Sequence, residues 1–147
     1  MNNQDFSIAL EFDKTPEQVF EAINNVRGWW SKVLVGDSQE QGDEFIYRHG
    51  DMHYSKHRVT ELFPNKRVKW LTLEGSINFV ENKDEWNNTE VIFEISQENG
   101  KTKLNFTHVG LKPGLECFKG CSGGWTYYIG ESLRNLIETG KGNPDTE

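Results

Sequence analysis

At 147 residues with a net charge of −7 and a pI near 5.1, the chain suits a single domain, 1–147, that buries roughly two-thirds of its unfolded surface. The acidic balance argues against nucleic acid as a partner, and no run of about 18 apolar residues could span a membrane. Neither the basic start nor the apolar run of a signal peptide opens MNNQDFSIALEFD, and two cysteines make no disulfide scaffold, so a cytoplasmic monomer or homodimer is expected.

Phe6, Ile8, Leu10 and Phe12 alternate with Ser7, Ala9 and Glu11, which predicts a half-buried strand. Thr15-Pro16 then supplies an N-cap and a proline at the first helical position, and Val19, Phe20 and Ile23 form a short apolar face. Asn24-Asn25 breaks this helix. Val26 to Trp30 reads as a second short helix ending in a tryptophan pair. Phe45 to Tyr47 and His53 to Phe63 are expected to be strands joined near Gly50-Asp51, and Pro64-Asn65-Lys66 the next turn. A strand over Arg67 to Leu73 is expected to end at Gly75, followed by another over Ile77 to Val80 and a polar loop, Asn82 to Asn88, that contains Trp86.

Asn99-Gly100 is a strong two-residue hairpin signal. Placed at the turn, it pairs Glu98 with Lys101, Ile95 with Leu104, Phe93 with Phe106 and Val91 with His108. Large apolar residues then meet on one face, an agreement that a slip of one residue destroys. Beyond Gly110, the residues Trp125, Tyr128, Ile129, Ser132, Leu133, Leu136 and Ile137 trace the stripe of an amphipathic helix, closed by Gly140, Gly142 and Pro144. That helix begins either near Ser122 or near Pro113 with Gly123-Gly124 in its middle; the second is expected. The order is strand, two short helices, about six or seven antiparallel strands and a long C-terminal helix. It predicts a two-layer α+β domain whose curved sheet wraps the helix and encloses a space.

The stretches Ile8-Ala9-Leu10, Thr15 to Ala22, Trp29-Trp30, Thr89 to Ile95, Gly100 to Leu111 and Gly124-Trp125 together resemble the START-like (SRPBCC, Bet v 1-like) superfamily with its helix-grip fold. Within it the sequence is similar to the branch named for the C-terminal domain of the activator of the 90-kilodalton heat-shock chaperone ATPase. The resemblance implies a cavity between sheet and long helix. It carries over no universal catalytic set.

Aromatic residues make 12% of the chain, a load that suits a bulky core or a lined cavity. The expected ligand-binding set is Trp30, Tyr47, Trp70, Phe93, Phe106, His108, Cys121, Trp125, Tyr128 and Ile129. His108 ends the buried hairpin face and is either a polar contact for a guest or a core histidine satisfied by backbone or water. Trp29-Trp30 is a candidate gate. His49, His53 and His57 read as a polar sheet face, because His53 and His57 lie about 13 Å apart along a strand, too far for one metal ion. Cys117 and Cys121 are expected to be small hydrophobes near the cavity rather than a redox pair. Lys56, His57 and Arg58 face Lys66, Arg67 and Lys69 across the Pro64 turn, as a basic cluster or as a charged strand that resists edge pairing.

The first functional expectation is therefore a non-enzymatic module holding a small hydrophobic or amphipathic molecule, lipids among the candidates, with no cofactor and no metal. A chaperone partner and a stress-response role, as in the activator branch, form the alternative, set second because the activator's additional N-terminal domain is lacking. An enzyme of cyclase or hydrolase type, with His108 as acid or base, is the third.

Overall fold

In a computed structural model, which describes residues 5–49, 53–77, 86–112 and 118–144, seven strands form one curved antiparallel sheet in the order β1-β7-β6-β5-β4-β3-β2. The strands are β1 (Phe6–Phe12), β2 (Val35–Gly36), β3 (Glu44–His49), β4 (His53–Phe63), β5 (Arg67–Ile77), β6 (Glu90–Glu98) and β7 (Lys101–Val109). The α+β helix-grip architecture follows from the residues as expected. Helix α1 (Pro16–Asn24) opens on a capping box, in which the Gln18 amide donates to Thr15 Oγ1 at 3.1 Å and the Thr15 amide donates to Gln18 Oε1 at 3.0 Å. It buries Val19, Ala22 and Ile23 and hands over at Asn25 to α2 (Val26–Trp29).

The β6–β7 hairpin has the register its turn dictates: Glu98 opposite Lys101, Ile95 opposite Leu104, Phe93 opposite Phe106 and Val91 opposite His108. Asn99 and Gly100 both take positive φ, 54° and 79°, as a tight right-twisting turn requires. One expectation fails nearby. Gly75 does not end its strand, because β5 runs on through it to Ile77. The bare glycine instead makes room for Trp86: a Cβ at Gly75 would stand 3.0 Å from the Trp86 Cβ. The separate strand over Ile77 to Val80 falls largely outside the described residues. The short edge strand β2, paired to β3, was not anticipated.

The C-terminal helix covers the concave face in three parts. Helix α3 (Phe118–Tyr127) carries Gly123 and Gly124 inside it, so the described helix does not begin at them; Pro113 to Cys117 lie outside the described residues. A π turn, Tyr128–Leu133, follows, and α4 (Arg134–Thr139) ends at Gly140, whose left-handed φ of 86° caps it. Periodicity at 3.6 residues does not reveal the π turn. Its wider winding brings Ser132 inward beside Leu133, where the hydroxyl donates to the Trp29 carbonyl at 2.7 Å. The Asn143 amide donates back to the same hydroxyl at 2.7 Å, folding the chain after Gly140 over the helix.

Candidate functional site

The residues expected to face a guest converge in one layer between sheet and helix. Trp30, immediately after α2, stacks on Tyr47 of β3 at 4.2 Å between ring centroids and meets Trp125 of α3 at 5.0 Å. Trp125 rests on Phe106 at 4.8 Å, Phe106 on Phe93 at 5.3 Å, and Phe93 on Trp70 at 5.0 Å. Tyr128 reaches Tyr47 through a hydroxyl pair 3.2 Å apart. Cys121 and Ile129 are buried under the same helix, and His108 joins through Trp125. Of these ten residues nine are buried, and Tyr128 is half-buried.

In the described residues these rings interdigitate and fill the middle of the grip. Trp29 and Trp30 are core residues rather than a gate: they are 0% and 2% exposed, and the Trp29 indole donates to the Ile23 carbonyl at 3.1 Å. Whatever enters this layer must part rings that already touch.

His108 is fully buried, with both ring nitrogens engaged. The Trp125 indole, which only donates, gives its proton to Nδ1 at 2.9 Å. The ring proton therefore sits on Nε2 and is donated to Thr89 Oγ1, also at 2.9 Å, and that hydroxyl donates onward to the Trp86 carbonyl at 2.7 Å. Burial pushes the His108 pKa down to about 3. Of the two expectations for this residue, the satisfied core histidine is the one seen, with side chains as its partners. In this arrangement both ring nitrogens of His108 are taken up by protein partners.

His57 overturns a second expectation. It belongs to no polar sheet face and to no basic cluster: it is 0% exposed, ringed by Trp30, Phe45, Trp70 and Trp86. Its Nε2 lies 2.9 Å from Ser55 Oγ and its Nδ1 3.0 Å from Thr72 Oγ1, while His53 Nε2 approaches the same Ser55 hydroxyl at 3.3 Å. The two histidines thus lean together over one serine. Burial holds the His57 pKa well below its usual range, with the neighbouring charges of His53 and His108 acting the same way. The side chain of His49 and all of Cys117 lie outside what is described. Among the described residues no group of three or more His, Cys, Asp or Glu side chains converges as a metal site.

Trp86 is the member that sequence reasoning missed. Its loop looked polar, yet the ring is 3% exposed, edge-on to His53 at 4.5 Å and to His108 at 4.6 Å, and stacked on Trp125 at 5.7 Å. Its indole donates to Cys121 Sγ at 3.3 Å. A tryptophan set among polar loop residues was the available signal, since exposing so large an apolar ring is costly. Together Trp125–His108, Trp86–Cys121 and Tyr47–Tyr128 tie the C-terminal helix to the sheet side through single side-chain hydrogen bonds.

Four cations of the basic cluster stand in ion pairs. Arg58 and Lys56 engage Glu44 at 2.8 and 3.6 Å, Arg67 engages Glu61 at 3.2 Å, and Lys69 engages Glu90 at 3.2 Å. Half-exposed pairs of this kind contribute little stability. Two surface grooves lie away from the ring layer, one of about 440 Å³ between α1 and α4 and one of about 370 Å³ over β1, β6 and β7. No described helix is long and apolar enough to cross a membrane.

Comparison with known proteins agrees with this geometry. Residues 13–138 match the family model described as Activator of Hsp90 ATPase homolog 1-like protein. No curated protein was matched in sequence. Among solved structures, the Aha1 dimer from Colwellia psychrerythraea is 24% identical with a TM-score of 0.74, covering 95% of this chain and 99% of that one. Mll3558 from Rhizobium loti is 15% identical with a TM-score of 0.68, covering 92% and 96%. CalU16 from Micromonospora echinospora is 16% identical with a TM-score of 0.62, covering 89% and 73%. At these identities the structures share the fold.

Proposed function

The chain belongs to the family of Activator of Hsp90 ATPase homolog 1-like proteins, and we propose that it is a binding protein that takes a small apolar or amphipathic molecule between its sheet and its C-terminal helix. One observation carries this reading: among the described residues, Trp125 and Tyr128 meet the sheet side mainly through aromatic rings, tilted on Phe106 and edge-on to Tyr47, with side-chain hydrogen bonds of Trp125, Trp86 and Tyr47 beside them. Aromatic rings exchange one apolar neighbour for another with little loss of contact. Each of these hydrogen bonds is of ordinary net strength, about 1 kcal/mol, which the burial of a guest's apolar surface can offset.

Since the described rings already touch across the layer, the proposed route of uptake is a lifting of α3. The segment is suited to that. Gly123 and Gly124 give it low helical propensity, and the π turn Tyr128–Leu133 beyond them interrupts the regular ladder.

The test is titration with N-phenyl-1-naphthylamine, a neutral apolar dye that brightens out of water, together with native mass spectrometry of the complex. Saturable uptake, weakened at least tenfold in Trp125→Ala at a temperature where the variant is folded, is expected. Absence of saturable uptake by the wild-type chain overturns the proposal.

A further inference from the structure

We propose that residues 140–144 form a strap that anchors the C-terminal helix to α2 from Ser132 onward, so that the helix opens in its α3 half only. This deepens the proposed binding function and, as a control on uptake, rests on it. Ser132 and Gly142 are positioning residues in this device, and neither belongs to the ring layer.

On length alone α4 should be the looser half, with six residues against ten in α3, far below the roughly 12–15 at which an isolated helix holds in water. The strap supplies what its length does not. Gly140, at φ 86°, turns the backbone round, and its amide donates to the Leu136 carbonyl at 3.0 Å. The Lys141 amide donates to Thr139 Oγ1 at 3.3 Å. Asn143 then donates its amide to the Ser132 hydroxyl at 2.7 Å, and that hydroxyl donates to the Trp29 carbonyl, also at 2.7 Å. Ser132 is 0% exposed, so one buried oxygen joins the strap, the π turn and the end of α2. The Trp29 carbonyl is one of those that a helix end leaves without a partner in its own ladder.

Gly142 shows how close the three segments lie. A Cβ there would overlap the Gly28 carbonyl oxygen and stand 2.9 Å from that of Ser132. Gly28 is bare toward α4 in the same way, since a Cβ on it would stand 3.1 Å from Leu136 Cδ2. Backbone therefore rests on backbone where strap, π turn and α2 meet, and a side chain at either glycine would prop the contact open.

Helix α3 is held differently. Its Gly123 and Gly124 would meet nothing within 4 Å if a Cβ were added, so they weaken the helix without bringing any backbone closer. The strap reaches α3 through the Tyr127 hydroxyl, which donates to the Asn143 carbonyl at 3.4 Å from a side chain 40% exposed. A bond so long and so wet adds little. Between the halves the π turn breaks the regular ladder. Motion of α3 can bend there and stop at Ser132.

The test is native-state hydrogen–deuterium exchange of the intact chain, read by mass spectrometry on peptides spanning 118–131 and 132–139, with and without saturating N-phenyl-1-naphthylamine. Without dye, amides of 118–131 are expected to exchange about tenfold faster than those of 132–139, the reverse of what helix length gives. With dye, exchange in 118–131 is expected to rise about threefold while 132–139 stays within about twofold. Gly142→Ala and Ser132→Ala are each expected to speed exchange in 132–139 about tenfold and so erase the contrast. Equal exchange of the two halves in the wild type, a contrast that survives either substitution, or dye that loosens both halves alike overturns the strap and spares the binding function. A chain that takes up no dye yet shows the contrast, lost in both variants, overturns the binding function and supports the strap.

Discussion

Acid is expected to unfold this protein chiefly through its buried histidines. His108 is held neutral by burial, with its pKa depressed from 6.5 to about 3. In the unfolded chain it accepts a proton near pH 6.5; in the folded chain it does not until near pH 3. Between those values the unfolded state holds the extra proton, so stability is full above about pH 6.5 and falls as the pH drops toward 3. At about 1.4 kcal/mol per pKa unit, the whole window is worth roughly 5 kcal/mol, a large share of the about 5–15 kcal/mol that keeps a typical domain folded. His57 shifts in the same direction and adds loss over the same range. Protonated Nδ1 would also face the Trp125 indole N–H, donor against donor, so the helix tether breaks as the charge forms. The assay is urea unfolding followed by tryptophan emission at pH 7, 6, 5 and 4, for the wild type and His108→Gln. Glutamine offers an oxygen to Trp125 and an amide to Thr89 but takes no proton. It is expected to cost about 1–2 kcal/mol at pH 7 from imperfect shape and to flatten the pH slope. A variant as acid-sensitive as the wild type, or a His108 resonance titrating near pH 6.5 in the folded protein, would refute the reasoning.

Other substitutions probe single links. Gly124→Ala adds a methyl that meets nothing within 4 Å, so it is expected to raise stability by about 1 kcal/mol and to slow dye uptake about fivefold in stopped flow; unchanged kinetics would mean that α3 does not open. Gly75→Val drives its side chain into Trp86 and is expected to cost about 2 kcal/mol with red-shifted tryptophan emission; an unshifted spectrum would show that the ring is not seated there. Thr15→Ala removes the capping box of α1 and is expected to lower stability by about 1 kcal/mol while leaving dye affinity within twofold, since α1 takes no part in the ring layer.

Local chemistry made much of the fold legible. Asn99-Gly100 permits one register for β6 and β7, and the apolar pairs that result leave no competitor. Thr15, Pro16 and Gln18 mark a helix start through groups within four residues of each other. The stripe from Trp125 to Ile137 shows which helix lies on the sheet, and it brought the candidate residues into one layer. His57 was also within reach, because it shares strand parity with Val59, which is fully buried; the spacing of three histidines drew attention from that simpler pattern. Trp86 was not, since its partners His53, His108, Cys121 and Trp125 come from three other elements. The π turn escapes periodicity because one added residue per turn leaves the apolar stripe nearly intact. Nor does a one-dimensional pattern say whether a layer is filled. That depends on the summed volumes of Trp29, Trp30, Trp70, Phe93, Phe106 and Trp125, and here the rings close on each other.

A co-crystal structure with N-phenyl-1-naphthylamine is the direct test of whether sheet and helix part to admit a guest. The account predicts the dye lying flat between Trp125 and the rings of Tyr47 and Phe106, with α3 displaced outward and the Trp125–His108 bond broken. Dye seated instead in the groove between α1 and α4, over an unmoved Trp125, would contradict it.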